Sequence, residues 1–183
     1  MKHRYIYYDN AINEKDCDDL INQYKDQMFE KGEVRVEGKA LADQARKANI
    51  IWIEQNSFVA RAVLSYIQEA NQYFKVNLAR VHEPAQLTKY DKIGDKYDWH
   101  IDDISYKDDE PSIRSLSAIV QLSKPENYSG CELQLFNGEQ ELEVLPIKKQ
   151  GSIIVFRSYE WHRVTELISG ERYSLILWGH GQR

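Results

Sequence analysis

Cys17, Leu20, Ile21, Tyr24 and Met28 recur at the three- and four-residue spacing of a single helix face, with polar positions between them. Asn13-Glu14-Lys15-Asp16 supplies an asparagine cap and acidic residues for a first turn, so the pattern predicts an amphipathic helix of about four turns ending near Gly32. A second helix is predicted from a Ser57 cap through Phe74, with Val59, Val63, Tyr66, Ile67 and Ala70 on its inner face. A Tyr-rich strand at Arg4–Tyr8 precedes the first helix, and the apolar run Asn49–Ile53 reads as a strand between the two. From Asn77 the period shortens, and strands are expected near 78–90, 97–102, 114–123, 131–136, 142–147, 152–156, 161–167 and 172–178, separated by turn residues such as Asn137-Gly138 and Ser169-Gly170. Eight β segments after two helices predict a mainly β chain with flanking helices (α+β): a double-stranded β-helix, or jelly roll, buttressed by the N-terminal helices. The expected organisation is one domain over 1–183, with a helical support region (1–76) and a jelly-roll core (77–180).

The chemistry concentrates in Tyr97-Asp-Trp-His100-Ile-Asp102. Residues two apart on a strand share a face, so His100 and Asp102 can address one ion, although His-x-Asp alone is common by chance. His162, in the later strand Trp161–Leu167, completes two imidazoles and one carboxylate. That facial set leaves room for a bidentate cosubstrate and dioxygen, which a closed structural zinc site does not. Arg172 follows in Gly170-Glu-Arg-Tyr-Ser174-Leu-Ile-Leu-Trp178. Alternation puts Arg172, Ser174, Ile176 and Trp178 on one face, and an inward arginine needs an anion. The distal carboxylate of 2-oxoglutarate fits, with the Ser174 hydroxyl as a further donor.

The formal net charge of −5, with both signs interspersed, argues against nucleic acid as a partner. No apolar run reaches membrane-spanning or signal-peptide length. Cys17 and Cys131 form neither a disulfide framework nor a CxxC pair, which makes a reducing cytoplasm the expected compartment and Cys131 a small buried residue. Arg46-Lys47 reads as solvated surface. His3 reads as terminal, His82 as an ordinary strand residue, and His180 stays unassigned. Asp103 and Asp108-Asp109-Glu110 read as solvated loop, and that loop and the segment Glu30–Gln44 as flaps over a pocket.

With Arg114-Ser-Leu-Ser-Ala-Ile-Val-Gln-Leu-Ser123, Tyr128-Ser-Gly-Cys-Glu-Leu133 and the ordered run Tyr90…Gly94…Tyr97-x-x-His100-x-Asp102…His162…Arg172, the chain resembles the prolyl 4-hydroxylase-like iron(II)/2-oxoglutarate dioxygenases, particularly small bacterial and phage PKHD-type hydroxylases. The resemblance covers about residues 77–180. It implies Fe(II) held by His100, Asp102 and His162, with 2-oxoglutarate anchored at Arg172 and touched by Tyr90. Gln121 stands where relatives often have a tyrosine that helps bind the same carboxylate. Ascorbate is left open as an accessory reductant. Two departures are Cys131, where relatives have Gly-Gly-Glu-Leu, and Arg157, where many have proline; Arg157 reads as an exposed loop residue near the site mouth. The implied reaction consumes dioxygen and 2-oxoglutarate, releases succinate and CO2, and hydroxylates a C–H bond. Asp102 favours hydroxylation because related halogenases have a small residue there. A prolyl or other protein or peptide side chain is the expected target, against a small molecule or free amino acid, or a jelly-roll binding module without turnover.

Overall fold

The computed structural model describes residues 4–32, 34–36, 39–41, 45–54, 57–79, 83–103, 112–136 and 142–182. The chain opens with β1 (Tyr5–Tyr8) and α1 (Glu14–Tyr24), followed by β2 (Glu30–Lys31), β3 (Val34–Val36), β4 (Lys39–Leu41), β5 (Arg46–Lys47), β6 (Asn49–Ile53) and α2 (Phe58–Phe74). Then come β7 (Ala85–Tyr90), β8 (Lys96–His100), β9 (Ser112–Gln121), β10 (Tyr128–Gly130), β11 (Leu133–Phe136), β12 (Leu142–Val144), β13 (Ile153–Arg157), β14 (His162–Val164), β15 (Leu167–Gly170) and β16 (Arg172–Gln182). A seven-stranded sheet runs β1-β13-β9-β16-β7-β6-β2, and a five-stranded sheet runs β12-β11-β14-β8-β5. The region before residue 77 therefore gives three strands to the large sheet as well as both helices.

Alternation along the central strands assigns each face. Leu116, Ala118 and Val120 of β9, Ile153 and Val155 of β13, and Leu175 and Leu177 of β16 pack with Val59, Val63 and Ile67 of α2 and with Cys17 and Leu20 of α1. The intervening residues Ile119, Ile154 and Phe156 turn the other way and meet Leu133, Leu135 and Val164 between the sheets. The helices thus wall the outer face of the large sheet, and the inner space belongs to the jelly roll. No helix among the described residues is long and apolar enough to cross a membrane.

Both caps form as expected: Asn13 Oδ1 accepts from Asp16 N at 2.9 Å, and Ser57 Oγ from Ala60 N at 3.2 Å. The first helix is shorter than its pattern predicts. It stops at Tyr24 because Lys25-Asp26-Gln27 offers nothing apolar to the sheet; Met28 is 89% exposed, whereas Phe29 packs edge-on to Tyr173 and leads into β2, paired with β6. The strand expected from 78 begins at Ala85, with Leu78 retaining an isolated bridge to Gly181. The strand expected at 131–136 is broken by Cys131, whose φ of 49° interrupts the extended backbone, and the one at 161–167 divides into β14 and β15. His3, His82 and Asp108-Asp109-Glu110 lie outside the described residues, as do residues 33, 37–38 and 42–44 of the Glu30–Gln44 segment.

Gly151 ties the N-terminal region to the sheet. Ile12 N donates to its carbonyl at 2.9 Å, and at φ +76° a Cβ would stand 1.8 Å from the Ile12 carbonyl oxygen. Gly151→Ala is expected to lose more than about 2 kcal/mol of stability, read as a lower denaturation midpoint in urea. An unchanged midpoint would show that the Ile12 contact gives way freely.

Candidate metal centre

Antiparallel pairing of β8 with β14 sets His162 opposite His100, with ring centroids 4.0 Å apart. Asp102 reaches them by another route than strand alternation, since β8 ends at His100. Asp102 N donates to Ser158 O at 2.8 Å, and its Oδ2 accepts from Ser117 Oγ at 2.8 Å and Trp178 Nε1 at 3.0 Å. These bonds fix a carboxylate that the strand itself no longer controls. His100 Nε2 lies 3.6 Å from Asp102 Oδ1, and His162 Nε2 lies 3.6 Å from Oδ2. One candidate ligand atom from each residue falls within 4.8 Å of the others.

The second ring nitrogens define the tautomers. His100 Nδ1 is 2.7 Å from Asp98 O, and His162 Nδ1 is 2.8 Å from Glu160 O. A carbonyl oxygen can only accept, so each Nδ1 carries a proton and each Nε2, the lone-pair nitrogen of a neutral ring, is turned toward the other ligands. Burial, and then the adjacent His162, push His100 down to about 3, keeping a neutral ring. Burial by itself would raise the Asp102 carboxyl, but the neighbouring His162 and His100 outweigh it and hold it well below the usual carboxylate range. Tyr97 stacks on His100 at 3.5 Å, bracing the ring from its other side.

A cavity of about 870 Å³ runs from these three residues along the inner face of the large sheet to Arg172, Ser174 and Tyr90. The Arg172 side chain is fully buried. Its Nε donates to Gln121 Oε1 at 3.0 Å, its Nη1 has no hydrogen-bond partner, and no carboxylate among the described residues pairs with it. A buried, fixed cation that lines a cavity and keeps an unsatisfied donor is a receptor for an anion.

A family model described as the 2OG-Fe(II) oxygenase superfamily matches residues 85–180, just over half of the chain. The chain belongs to this superfamily. A PKHD-type hydroxylase of Shewanella baltica (strain OS155) is 35% identical over 88 residues, which cover 46% of this chain and 38% of that protein. The chain thus aligns with well under half the length of this curated relative. A Pseudomonas putida prolyl-4-hydroxylase structure superposes with a TM-score of 0.72 at 19% identity, covering 99% of this chain and 94% of its own. A Trichoplax adhaerens prolyl hydroxylase in complex with a hypoxia inducible factor peptide fragment gives 0.71 at 16% identity, covering 96% and 83%. Both share the jelly-roll fold.

The superfamily's groups, Fe(II) and 2-oxoglutarate, suit what this chain presents: two imidazole Nε2 atoms and a carboxylate at one end of the cavity, and an arginine with an unsatisfied donor at the other. Ser174 and Tyr90 line the same cavity. Burial pushes the Tyr90 hydroxyl up to about 12, so it stays a neutral phenol able to donate. Gln121 is placed behind Arg172 and does not line the cavity; Oε1 holds the guanidinium and Nε2 donates to Ser123 O at 2.8 Å. Its observed contacts are those of a residue that orients Arg172.

Two surface readings change. Arg157 leaves the site mouth and turns to the end of α2, where Nη2 donates to Phe74 O at 2.8 Å, satisfying a terminal helix carbonyl. Arg46 leaves the solvated surface and lines the cavity. Asp103 is half-buried and outside the ligand group. His180 joins a buried cluster in which its Nε2 lies 2.8 Å from Glu83 Oε2, while Arg114 Nε donates to the same oxygen at 3.0 Å. The Arg114 guanidinium sits 3.6 Å over the Trp178 ring, supporting the indole that holds Asp102. Alternation along β16 pointed Trp178 inward, but that Trp178 and Ser117 share Asp102 as a partner carries no signal in local sequence.

Proposed function

We propose that this oxygenase is an iron(II)- and 2-oxoglutarate-dependent dioxygenase that hydroxylates a C–H bond, with residues 1–183 working as one catalytic domain. The observation that carries the reading is the pairing of a three-ligand centre with Arg172 along one cavity wall. His100, Asp102 and His162 would hold the iron, and Arg172 would take the distal carboxylate of 2-oxoglutarate, with Ser174 and Tyr90 as further donors. Bound together, the two groups supply oxidation by dioxygen, with one oxygen atom inserted into the substrate C–H bond and the other carried off in succinate as CO2 is lost.

The chain's own residues perform the remaining work. The Nδ1-to-carbonyl bonds keep both imidazoles aimed at the centre, and Ser117 and Trp178 keep the carboxylate from swinging away. Tyr97 on one side and Phe156 on the other, its ring 4.8 Å from His162, limit water around the ligands. The proposed target is a prolyl or other protein or peptide side chain; the peptide complex of the Trichoplax relative supports it by analogy of fold. Hydroxylation of a small molecule or free amino acid is a second reading, favoured by the additional cation Arg46 at the cavity. A reducing cytoplasm is the proposed compartment, in keeping with two free, buried cysteines whose thiols burial keeps protonated.

With Fe(II), 2-oxoglutarate and ascorbate, the chain is expected to form succinate slowly without substrate and faster with it. Failure both to bind metal and to form succinate would overturn the dioxygenase reading. Host protein and metabolite extracts, compared by mass spectrometry with and without active enzyme, are expected to yield a product heavier by one oxygen atom.

A further inference from the structure

Arg46 belongs to the two-residue strand β5, paired with β8 so that it stands beside Tyr97. Its guanidinium lies 4.4 Å from the Tyr97 ring centroid, on the aromatic ring that stacks on His100. Its Nη2 donates to Gln86 Oε1 at 2.6 Å, whereas its Nε is buried without a hydrogen-bond partner. Among the described residues no carboxylate forms an ion pair with it, although Glu30 and Asp98 also line the cavity. Asp98 is otherwise engaged, its Oδ1 accepting from Trp99 N at 2.8 Å, and Glu30 is exposed. The Nε side lies against Gly32, so what lines the cavity is the guanidinium as a second oriented cation, clamped by an amide and an aromatic face.

The two cations occupy different places. Arg172 sits opposite Tyr90 in register, and Arg46 is tied to Gln86, four residues earlier on the same face of β7. Those anchors are about 13 Å apart along the strand. Under the dioxygenase reading, one carboxylate of 2-oxoglutarate is committed to the metal and the other to Arg172. Arg46 then faces a cavity whose cosubstrate has no third anion to offer.

Resting on that reading, we infer that the substrate itself carries a carboxylate, which Arg46 receives while the C–H bond to be hydroxylated lies over the metal centre. Trp52 and Trp161, both about half exposed on the cavity lining, offer apolar surface to the body of such a substrate. The carboxylate can come from a free amino or organic acid, or from an acidic side chain within a peptide; the guanidinium recognises the same group in either.

The test uses the chain loaded with Mn(II) and 2-oxoglutarate without oxygen, titrated calorimetrically with N-acetylated amino acids, their primary amides, and a blocked tripeptide with a central glutamate beside its glutamine counterpart. Acids are expected to bind at least roughly tenfold more tightly than matched amides, the loss of one charge-assisted contact. Preference for the glutamate tripeptide alone would assign the carboxylate to peptides, and preference for N-acetyl acids alone would assign it to small molecules. Arg46→Gln should erase the difference and Arg46→Lys should restore part of it, with Mn(II) and 2-oxoglutarate affinities within about twofold of wild type. Equal binding of acids and amides by the wild type, or binding of neither at millimolar concentration, overturns the inference. A fall in 2-oxoglutarate affinity on replacing Arg46 also overturns it, because the arginine would then serve the cosubstrate. If Arg46→Gln does not fold, the wild-type comparison and Arg46→Lys decide. Failure of wild type to bind Mn(II) and 2-oxoglutarate at all would instead remove the dioxygenase reading.

Discussion

Arg172→Met is expected to fold normally yet lose 2-oxoglutarate binding by roughly thirty- to several-thousand-fold, the 2–5 kcal/mol typical of truncating one partner of a buried charge pair. The reason lies in the ligand-free site. Arg172 is buried with Nη1 unsatisfied and no carboxylate among the described residues beside it, so the unliganded protein bears the cost of desolvating a cation with little return. An apolar side chain of similar volume removes that cost, and the melting temperature without cosubstrate should stay level or rise. The wild type should behave in the opposite way on adding ligand. At a hundred times its Kd, 2-oxoglutarate contributes about 2.7 kcal/mol. For a chain of this size that is a rise of roughly 5–10 °C in melting temperature, and at the same ligand concentration Arg172→Met should show about a third of it or less. Equal ligand-induced stabilisation of the two proteins would remove Arg172 from the cosubstrate site.

His162→Ala is expected to weaken metal binding by more than about a hundredfold, beyond the range seen when only a residue supporting a ligand is lost, and to abolish succinate formation. The remaining His100 and Asp102 offer two donors, and His100 would lose the ring that lies against it 4.0 Å away. Chelator competition with Mn(II) measures the loss. Retention of wild-type affinity would mean that the ion binds elsewhere. The two variants should separate cleanly, since Arg172→Met keeps its metal and His162→Ala does not.

The residues that predict these outcomes differ in how openly the sequence displays them. Arg172, Ser174, Ile176 and Trp178 follow the two-residue period of a strand, and all four line the cavity, because the apolar residues between them must face the helices. Ser57 and the stripe through Ala70 announced α2 for a comparable reason: cap and period are local. The first helix ends before its pattern does, because periodicity continues in the letters but not in the packing, with Met28 in solvent and Phe29 taking the inward place. Asp102 stands beside His100, but the two-residue period of a strand does not put it there, since β8 ends at His100. Its position is set beyond the strand by Ser117, Ser158 and Trp178, residues brought together from three other segments.

The sequence by itself determined the mainly β class, the inward faces of the long strands and the set of metal-capable side chains, since each is written in residue type and in a period of a few residues. Only the tertiary structure decided that Gln121 stands behind Arg172, that Arg157 closes the end of α2, and that Arg46 enters the cavity over Tyr97. Those placements depend on which distant strands pair and in what register. A solvated arginine and one clamped beside a metal centre have the same local sequence, and they differ only in the partners that folding brings to them.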